Sequence, residues 1–328
     1  MSPIELGRRS PEGTTRMTEP LTIMTWLWKQ PNGRTTYGPE NVNIWADMVR
    51  RNLSLPHRIA CVTAHPEGID SDIDIIEPPG EFEDIQLPTW GKEKPQCLRR
   101  ISLFRPDAAS IFGKRFVSMD MDCVIMGSLD PLFDRPEDFV MYGGTNRDRP
   151  YNGSMLMMDA GARPQVYERL TPEEAVKAGW RYTGSDQAWI SYVLGRGEKV
   201  WLQEDGIHIR DFLKDGAETT RILFFFGNPK PWDVLHQPRE TKFYRKAGKG
   251  RSIVLCGGPA TWSDAIKELA QGKPDGVIAV ESAAPFWPGH VVATAHGPKA
   301  AIAKARMLGY EEIALCGQIE EDQCAFSA

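Results

Sequence analysis

An alternation near the start of the chain constrains the fold most. Leu21 to Trp28 (LTIMTWLW) is rich in β-formers and is bounded by Pro20 and by the turn-like Pro31-Asn32-Gly33. Val42, Trp45, Ala46, Val49 and Leu53 then recur at the spacing that lines one face of a helix. Pro56 closes that helix, and Arg58 to Thr63 (RIACVT) reads as a second strand. Strand, helix, strand is the opening of a parallel α/β sheet. A second alternation lies near the other end. Ser252–Cys256, a helix from about Thr261, Gly276–Val280, His290–Thr294, a helix near Pro298–Leu308 and Glu312–Cys316 make a small parallel α/β unit of about seventy residues. Thr241–Gly250, with Lys242, Arg245, Lys246 and Lys249, reads as the linker between them. The expected organisation is a polar tail over 1–19, an α/β domain over 20–240, the small domain over 250–318 and a frayed tail over 319–328.

Composition narrows the function. The chain has 328 residues and a net charge of -5, which gives no electrostatic reason to expect a nucleic-acid or anionic-membrane partner. No run of apolar residues is long enough to span a bilayer. Met1–Pro20 carries Arg8, Arg9 and Arg16 but no apolar signal-peptide core. Cys61, Cys97, Cys123, Cys256, Cys316 and Cys324 form no CxxC pair, so reduced thiols in a cytoplasm are expected rather than a zinc ribbon or disulfide framework.

Between the two alternations, Pro78–Pro95 reads as loop, Gln96–Phe104 as a basic and apolar helix, and Phe139–Tyr142, Ser154–Met158 and Ile222–Phe226 as strands. Thr171-Pro172-Glu173-Glu174 is an explicit helix start, with a capping Thr, a first-turn Pro and an early Glu. The Asp-x-Asp pattern occurs at Asp70, Asp72 and Asp74 and again at Asp120 and Asp122. The first group lies in a polar, glycine-containing stretch and reads as solvated loop. Asp120 and Asp122 instead end one apolar run (FVSM) and begin another, ahead of the turn Leu129-Asp130-Pro131-Leu132-Phe133. A strand that stops in two carboxylates presents acid at a sheet's carboxyl edge, where open α/β sheets bind ligands. Two uncompensated carboxylates there repel each other and lose hydration. A divalent cation offsets both penalties and attracts diphosphate, whereas a solvated, capped turn needs neither.

Four segments in order resemble one family. Phe116–Phe133 (FVSMDMDCVIMGSLDPLF) is similar to the "LDxD…dlxpLF" segment of the GT-A glycosyltransferases of the glycogenin and lipopolysaccharide galactosyltransferase type, grouped as family 8. Tyr151–Asp159 (YNGSMLMMD) resembles their "fNaGvmlid" strand, Gly184-Ser185-Asp186-Gln187 their Asp-Gln helix start, and Phe224–Trp232 (FFFGNPKPW) their "HFxGxxKPW" segment. The TWLW and PHRIACVT strands look like bacterial and phage members of that group. The resemblance implies a nucleotide-diphospho-sugar transferase fold, an α/β GT-A domain with a Rossmann-like mixed sheet, followed here by a small Rossmann-like domain.

It also implies roles. Asp122 is expected to ligate Mn²⁺ or Mg²⁺, and Asp120 to bind metal and ribose. Lys230 is expected at the β-phosphate, Gly227 at the phosphates, Asn152 and Gly153 at the sugar, and Asp186 and Gln187 near the anomeric carbon as the catalytic pair. At the end of the first strand, Thr25, Trp26 and Tyr37 are candidates for the nucleobase, Tyr37 by stacking. Partners follow: a nucleotide sugar, with UDP the default, and a glycan, lipid or protein acceptor. Taken singly, Asp186 is equally a helix cap, Asn152-Gly153 equally a turn and Trp232 equally core.

One departure stands out. The family's fourth segment opens with a metal-binding His, and this chain has Phe224 there, with Phe226 also apolar. Phe ligates no metal. Either His208 or His236 substitutes, or water fills the position, or the protein is a degenerate binding scaffold on the same fold. A metal-dependent phosphohydrolase or nucleotidyltransferase uses the same acidic strand end. Cys256-Gly257-Gly258-Pro259, after a strand, lacks the full dinucleotide-binding glycine spacing and is read as structural or docking.

Overall fold

The computed structural model describes residues 19–29, 37–91, 94, 96–210, 219–234, 243–246, 249–255, 276–280, 293–295, 298–307 and 310–316. Strands β1 (Leu21–Trp26), β2 (His57–Val62), β3 (Asp74–Ile76) and β4 (Arg115–Met119) run parallel, with α1 (Pro39–Asn52) crossing between the first two. Strand β5 (Cys123–Ile125) leaves that sheet, while β6 (Phe139–Gly143), β7 (Tyr151–Asp159) and β8 (Lys199–Trp201) extend it in the order β3-β2-β1-β4-β7-β6-β8. Strand β7 is antiparallel to both β4 and β6, so the seven-stranded sheet is mixed. Strands β9 (Ile207–Ile209) and β10 (Ile222–Phe224) join β5 in a three-stranded sheet. The chain is therefore a mixed α/β protein.

The central strands of the large sheet are buried on both faces, which is why β1, β4 and β7 read as nearly continuous apolar runs. Ile23, Val117, Met119, Met155 and Met157 pack into one core with α1. Met24, Trp26, Phe116, Leu156 and Met158 pack into the other, beneath the 3-10 helix Leu98–Phe104. Helix α1 carries the expected face, but Ile44 and Met48 on its far side are buried too. The cause lies downstream. Tyr244, Met307 and the Phe243 carbonyl cover that side: Asn41 Nδ2 donates to Tyr244 Oη at 3.3 Å, and Arg51 Nη2 to the Phe243 carbonyl at 3.0 Å.

The segment read as linker is thus seated where it is described. Tyr244 is fully buried, and Lys246 pairs with Asp70 at 2.5 Å. The acids at 70–74 are likewise more than solvated loop. Asp74 opens the edge strand β3, and Asp72 and Asp74 pair with Arg50 and Arg58. Further on, β11 (Lys249–Leu255), β12 (Gly276–Val280), β13 (Ala293–Ala295) and β14 (Tyr310–Cys316) form a parallel sheet in the order β13-β12-β11-β14, with a helix over Pro298–Met307. The Cys256–Pro259 turn, His236 and both expected tails beyond residues 19 and 316 lie outside the described residues. Among the described residues no helix is long and apolar enough to cross a membrane.

Candidate functional site

The acidic pair sits where the chain passes from one sheet to the other. Asp120 N–H still donates to the Ser154 carbonyl (2.8 Å), extending the β4–β7 pairing, and the Asp122 carbonyl accepts from Phe225 N–H (2.9 Å) beside β10. Between them Met121 is buried in the core, which anchors the crossover and leaves the two flanking carboxylates at the edge. A cavity of about 700 Å³ opens there, within the range typical of small-ligand sites. It is lined by Asp120, Asp122, Tyr37, Asn152, Gly153, Asp186, Gln187, Gly227 and Lys230, together with Thr25 and Trp26. The residues that the resemblance assigned to donor, metal and catalysis therefore face one space, whereas His208 is not among its lining.

Two basic side chains organise it. Arg100 lies on the 3-10 helix, whose Leu98, Ile101 and Phe104 are spaced by three, the repeat at which such a helix eclipses its side chains. All three are fully buried and hold the helix down. Arg100 Nη1 donates to Asp120 Oδ1 at 2.5 Å, Nε to Asp186 Oδ2 at 2.8 Å, and Nη2 lies 2.7 Å from the same oxygen. Burial works against its charge, but Asp186 and Asp120 outweigh it and hold the guanidinium firmly protonated. On the other side Lys230 Nζ forms an ion pair with Asp122 Oδ2 and donates to the Phe225 carbonyl at 3.1 Å. Tyr37 Oη donates to the same Asp122 oxygen at 3.0 Å, and its ring meets Trp232 edge to face. Burial, reinforced by Asp122, pushes the Tyr37 phenol up, so it stays a donor. Burial likewise pushes the Asp122 and Asp186 carboxyls upward, and Lys230 and Arg100 pull them back.

The remaining residues are held in place. Helix α5 (Pro172–Arg181), after three single-turn helices α2 (Ala109–Phe112), α3 (Asp130–Phe133) and α4 (Gln165–Glu168), starts as the sequence indicates, with Thr171 Oγ1 accepting from Glu174 N–H at 3.2 Å. It leads into α6 (Asp186–Leu194), which delivers Asp186 and Gln187 to the cavity. Gln187 Oε1 accepts from Gly153 N–H at 3.2 Å. Asn152 spends its amide on Thr145 Oγ1 (3.1 Å) and Ser154 N–H (2.8 Å). Gly227 has a φ of 71°, a conformation that favours glycine, at the turn carrying the chain from β10 to Lys230.

Of the two His candidates, His236 lies outside the described residues, and His208 does not reach the site. His208 lies on β9, paired with Leu223, away from the cavity lining, and burial lowers its pKa. Phe224 is fully buried and stacks on Tyr142 and Phe226. Among the described residues no group of three His, Cys, Asp or Glu side chains is placed to hold a metal. Sequence reasoning missed Arg100, Thr145, Asn146 and Arg149, which also line the cavity. Arg149, pushed down to about 10 by burial, donates to the Tyr151 and Thr183 carbonyls and braces the wall. Cys97 also lines the cavity, but burial pushes its thiol up to about 12, so it is no nucleophile at neutral pH.

No protein-family model and no curated protein sequence matches the chain. Solved structures that it resembles include the galactosyltransferase LgtC in complex with donor and acceptor sugar analogs, at 13% identity over 65% of this chain and 89% of that one, TM-score 0.43. The bifunctional glycosyltransferase WbbM is 12% identical over 70% of this chain and 52% of that one, TM-score 0.40. The glycosyltransferase GlyE of Streptococcus pneumoniae TIGR4 is 9% identical over 90% of this chain and 80% of that one, TM-score 0.41. Likeness at this level transfers no residue's role to this chain.

Proposed function

We propose that the chain is a glycosyltransferase that takes its sugar from a nucleotide diphosphate, UDP being the first choice of base, and passes it to a glycan, lipid or protein acceptor. One observation carries the reading: two carboxylates one residue apart end a buried strand at the carboxyl edge of an α/β sheet, inside a cavity large enough for a nucleotide sugar, and each is matched by a cationic side chain.

The donor set suits Mn²⁺ or Mg²⁺ of one kind only. Two hard carboxylate ligands, with no third ligand among the described residues, match the usual habit of Mg²⁺, bound through one or two carboxylates and completed by substrate phosphates and water. The Lys230 ammonium stands in for that cation at Asp122. When bound, the metal supplies Lewis-acid stabilisation of the departing nucleoside diphosphate. The protein's own groups do the rest. Lys230 adds positive charge beside the phosphates, and Gly227 lets the backbone approach them. Arg100 fixes the angle between Asp120 and Asp186, so that the donor sugar meets a preset arrangement rather than a mobile one. Asp186 and Gln187 border that sugar, with Gln187 tied to the Gly153 backbone. Tyr37 lies at the base end.

Calorimetric titration with UDP tests the reading. The expected result is binding that needs Mn²⁺ and weakens in Asp122→Asn by at least about 100-fold, the upper range for loss of a supporting group around a metal. Absence of binding of UDP, GDP and ADP alike, with or without metal, overturns it. A second reading has one observation in its favour: Phe224 is sunk in the core where a ligand is expected, which suits a protein that binds a nucleotide sugar without transferring it. Metal-independent UDP binding without turnover of any nucleotide sugar selects that reading. Turnover of a nucleoside triphosphate alone selects a phosphohydrolase or nucleotidyltransferase.

A further inference from the structure

Asp122 is already occupied. Its Oδ2 takes the Lys230 ammonium and the Tyr37 hydroxyl together, and both Lys230 and Asp122 are largely withdrawn from water. A metal arriving alone meets two obstacles. It must share a carboxylate with a resident cation, and among the described residues the displaced ammonium keeps the Phe225 carbonyl and the Tyr37 ring face, neither of which carries a negative charge. Among the described residues no third side chain repays the cost, and the strand that might offer one presents Phe224 to the core. A nucleoside diphosphate arriving alone is no better placed. It draws Lys230 towards its phosphates and leaves a buried carboxylate uncompensated beside new negative charge. When both arrive, each removes the other's obstacle: the metal takes Asp122, and the phosphates take Lys230.

We propose that Lys230 is an exchangeable counter-ion that closes the metal site of the empty protein, so that divalent metal and nucleoside diphosphate bind as a coupled pair and neither binds well alone. The inference rests on the nucleotide-sugar reading above and adds the device that regulates that site. Lys230 suits the part. An ammonium on a flexible four-carbon stem is a point charge that can re-aim, whereas the planar guanidinium of Arg100 is locked across two carboxylates. Coupling of this kind is reciprocal: the factor by which UDP tightens Mn²⁺ must equal the factor by which Mn²⁺ tightens UDP.

The test is a Mn²⁺ titration of the full chain followed by electron paramagnetic resonance of the free ion, with and without UDP, GDP or ADP, and the reverse calorimetric titration of nucleotide with and without Mn²⁺. In the wild type the affinity of each ligand is expected to rise at least about tenfold in the presence of the other, equally in both directions. In Lys230→Met, and in Lys230→Gln, which keeps a donor for the Phe225 carbonyl, Mn²⁺ without nucleotide should bind at least about tenfold tighter than to wild type, and the coupling should fall below about threefold. Wild-type Mn²⁺ affinity that is the same with and without nucleotide overturns the proposal, as do folded Lys230 variants whose nucleotide-free Mn²⁺ affinity is unchanged. Should neither variant fold, the wild-type coupling factor decides. Failure of the underlying reading looks different, since none of the three nucleotides then binds with or without metal.

Discussion

Asp120 and Asp122 are separated by one residue and do not differ in chemistry, yet the protein partners them in opposite ways. Asp120 is bound by a guanidinium that also holds Asp186, on a 3-10 helix pinned by three buried apolar side chains. Asp122 is bound by a single ammonium and a phenol, on a turn that follows the short strand β10. The first pairing is architecture: a fork spanning two carboxylates cannot leave one without abandoning the other. The second is a contact between two groups either of which a ligand can replace. One acid therefore shapes the cavity, and its neighbour remains available to bind.

Removing Arg100 should break the contrast most severely. Arg100→Met leaves Asp186 almost fully buried without the guanidinium that touches it, and unpairing a buried ion pair costs about 3–5 kcal/mol. Chemical denaturation should show that loss as a lower midpoint with an unchanged slope. Arg100→Lys should recover only part of it, because one ammonium cannot bridge Asp120 and Asp186 at once. If Arg100→Met matches the wild type in stability, the fork is a ligand-binding group and the two acids are alike after all.

A gentler perturbation displaces the fork without discharging it. A Cβ added at Gly153 would lie 3.0 Å from both Arg100 Nη2 and Asp186 Oδ2 and 3.2 Å from Asp186 Oδ1. Those neighbours must retreat by a few tenths of an ångström, and each is held by the other. Gly153→Ala should cost about 1–3 kcal/mol, as overpacking does. It should lower turnover by about tenfold, because positioning errors well under 1 Å are felt in a preset site. Melting temperature and nucleotide-sugar turnover measure the two effects. Full turnover in Gly153→Ala would mean that the Asp186–Arg100 geometry does not matter to the chemistry.

This difference between the acids explains what the sequence made legible. The parallel opening, the capped start of α5 and the acidic strand end follow from local patterns, apolar runs ended by acids or turns, whereas the meeting of Asp186 and Lys230 with Asp120 and Asp122 is implied only by the family resemblance. Arg100 follows from neither. In LRRISLF it stands beside Arg99, and only the three-residue repeat, which aligns Arg100 with Leu103 and Arg99 with Ser102, separates the inward arginine from its neighbour. Read as an ordinary helix, the segment gives no such separation. The edge strands β3, β8 and β9 were invisible because three residues carry no period, and β3 begins with an Asp that composition assigns to loop. The burial of Ile44 and Met48 depends on Tyr244 and Met307, more than 190 residues away, which no local pattern encodes. The occupancy of Asp122 by Lys230, 108 residues apart, is of the same kind.

Thr25 supplies the smallest and sharpest extension of the comparison, because its hydroxyl is a buried polar group of this cavity with no hydrogen-bond partner among the described residues. Its Oγ1 is fully buried at the end of β1, lines the cavity and makes no hydrogen bond among the described residues. A buried unsatisfied hydroxyl costs about 1–3 kcal/mol, so a protein that keeps one in a ligand cavity gains nothing from it until a ligand arrives. Thr25→Val preserves shape and removes the hydroxyl. The free protein should then be as stable as the wild type or more stable by about 1 kcal/mol, while nucleotide affinity falls by about tenfold, the worth of one lost hydrogen bond. Differential scanning calorimetry and UDP titration read the two independently. Unchanged affinity with raised stability would make Thr25 a plain packing defect, and the cavity would then hold only the two kinds of polar group that the acids define, one fixed and one exchangeable.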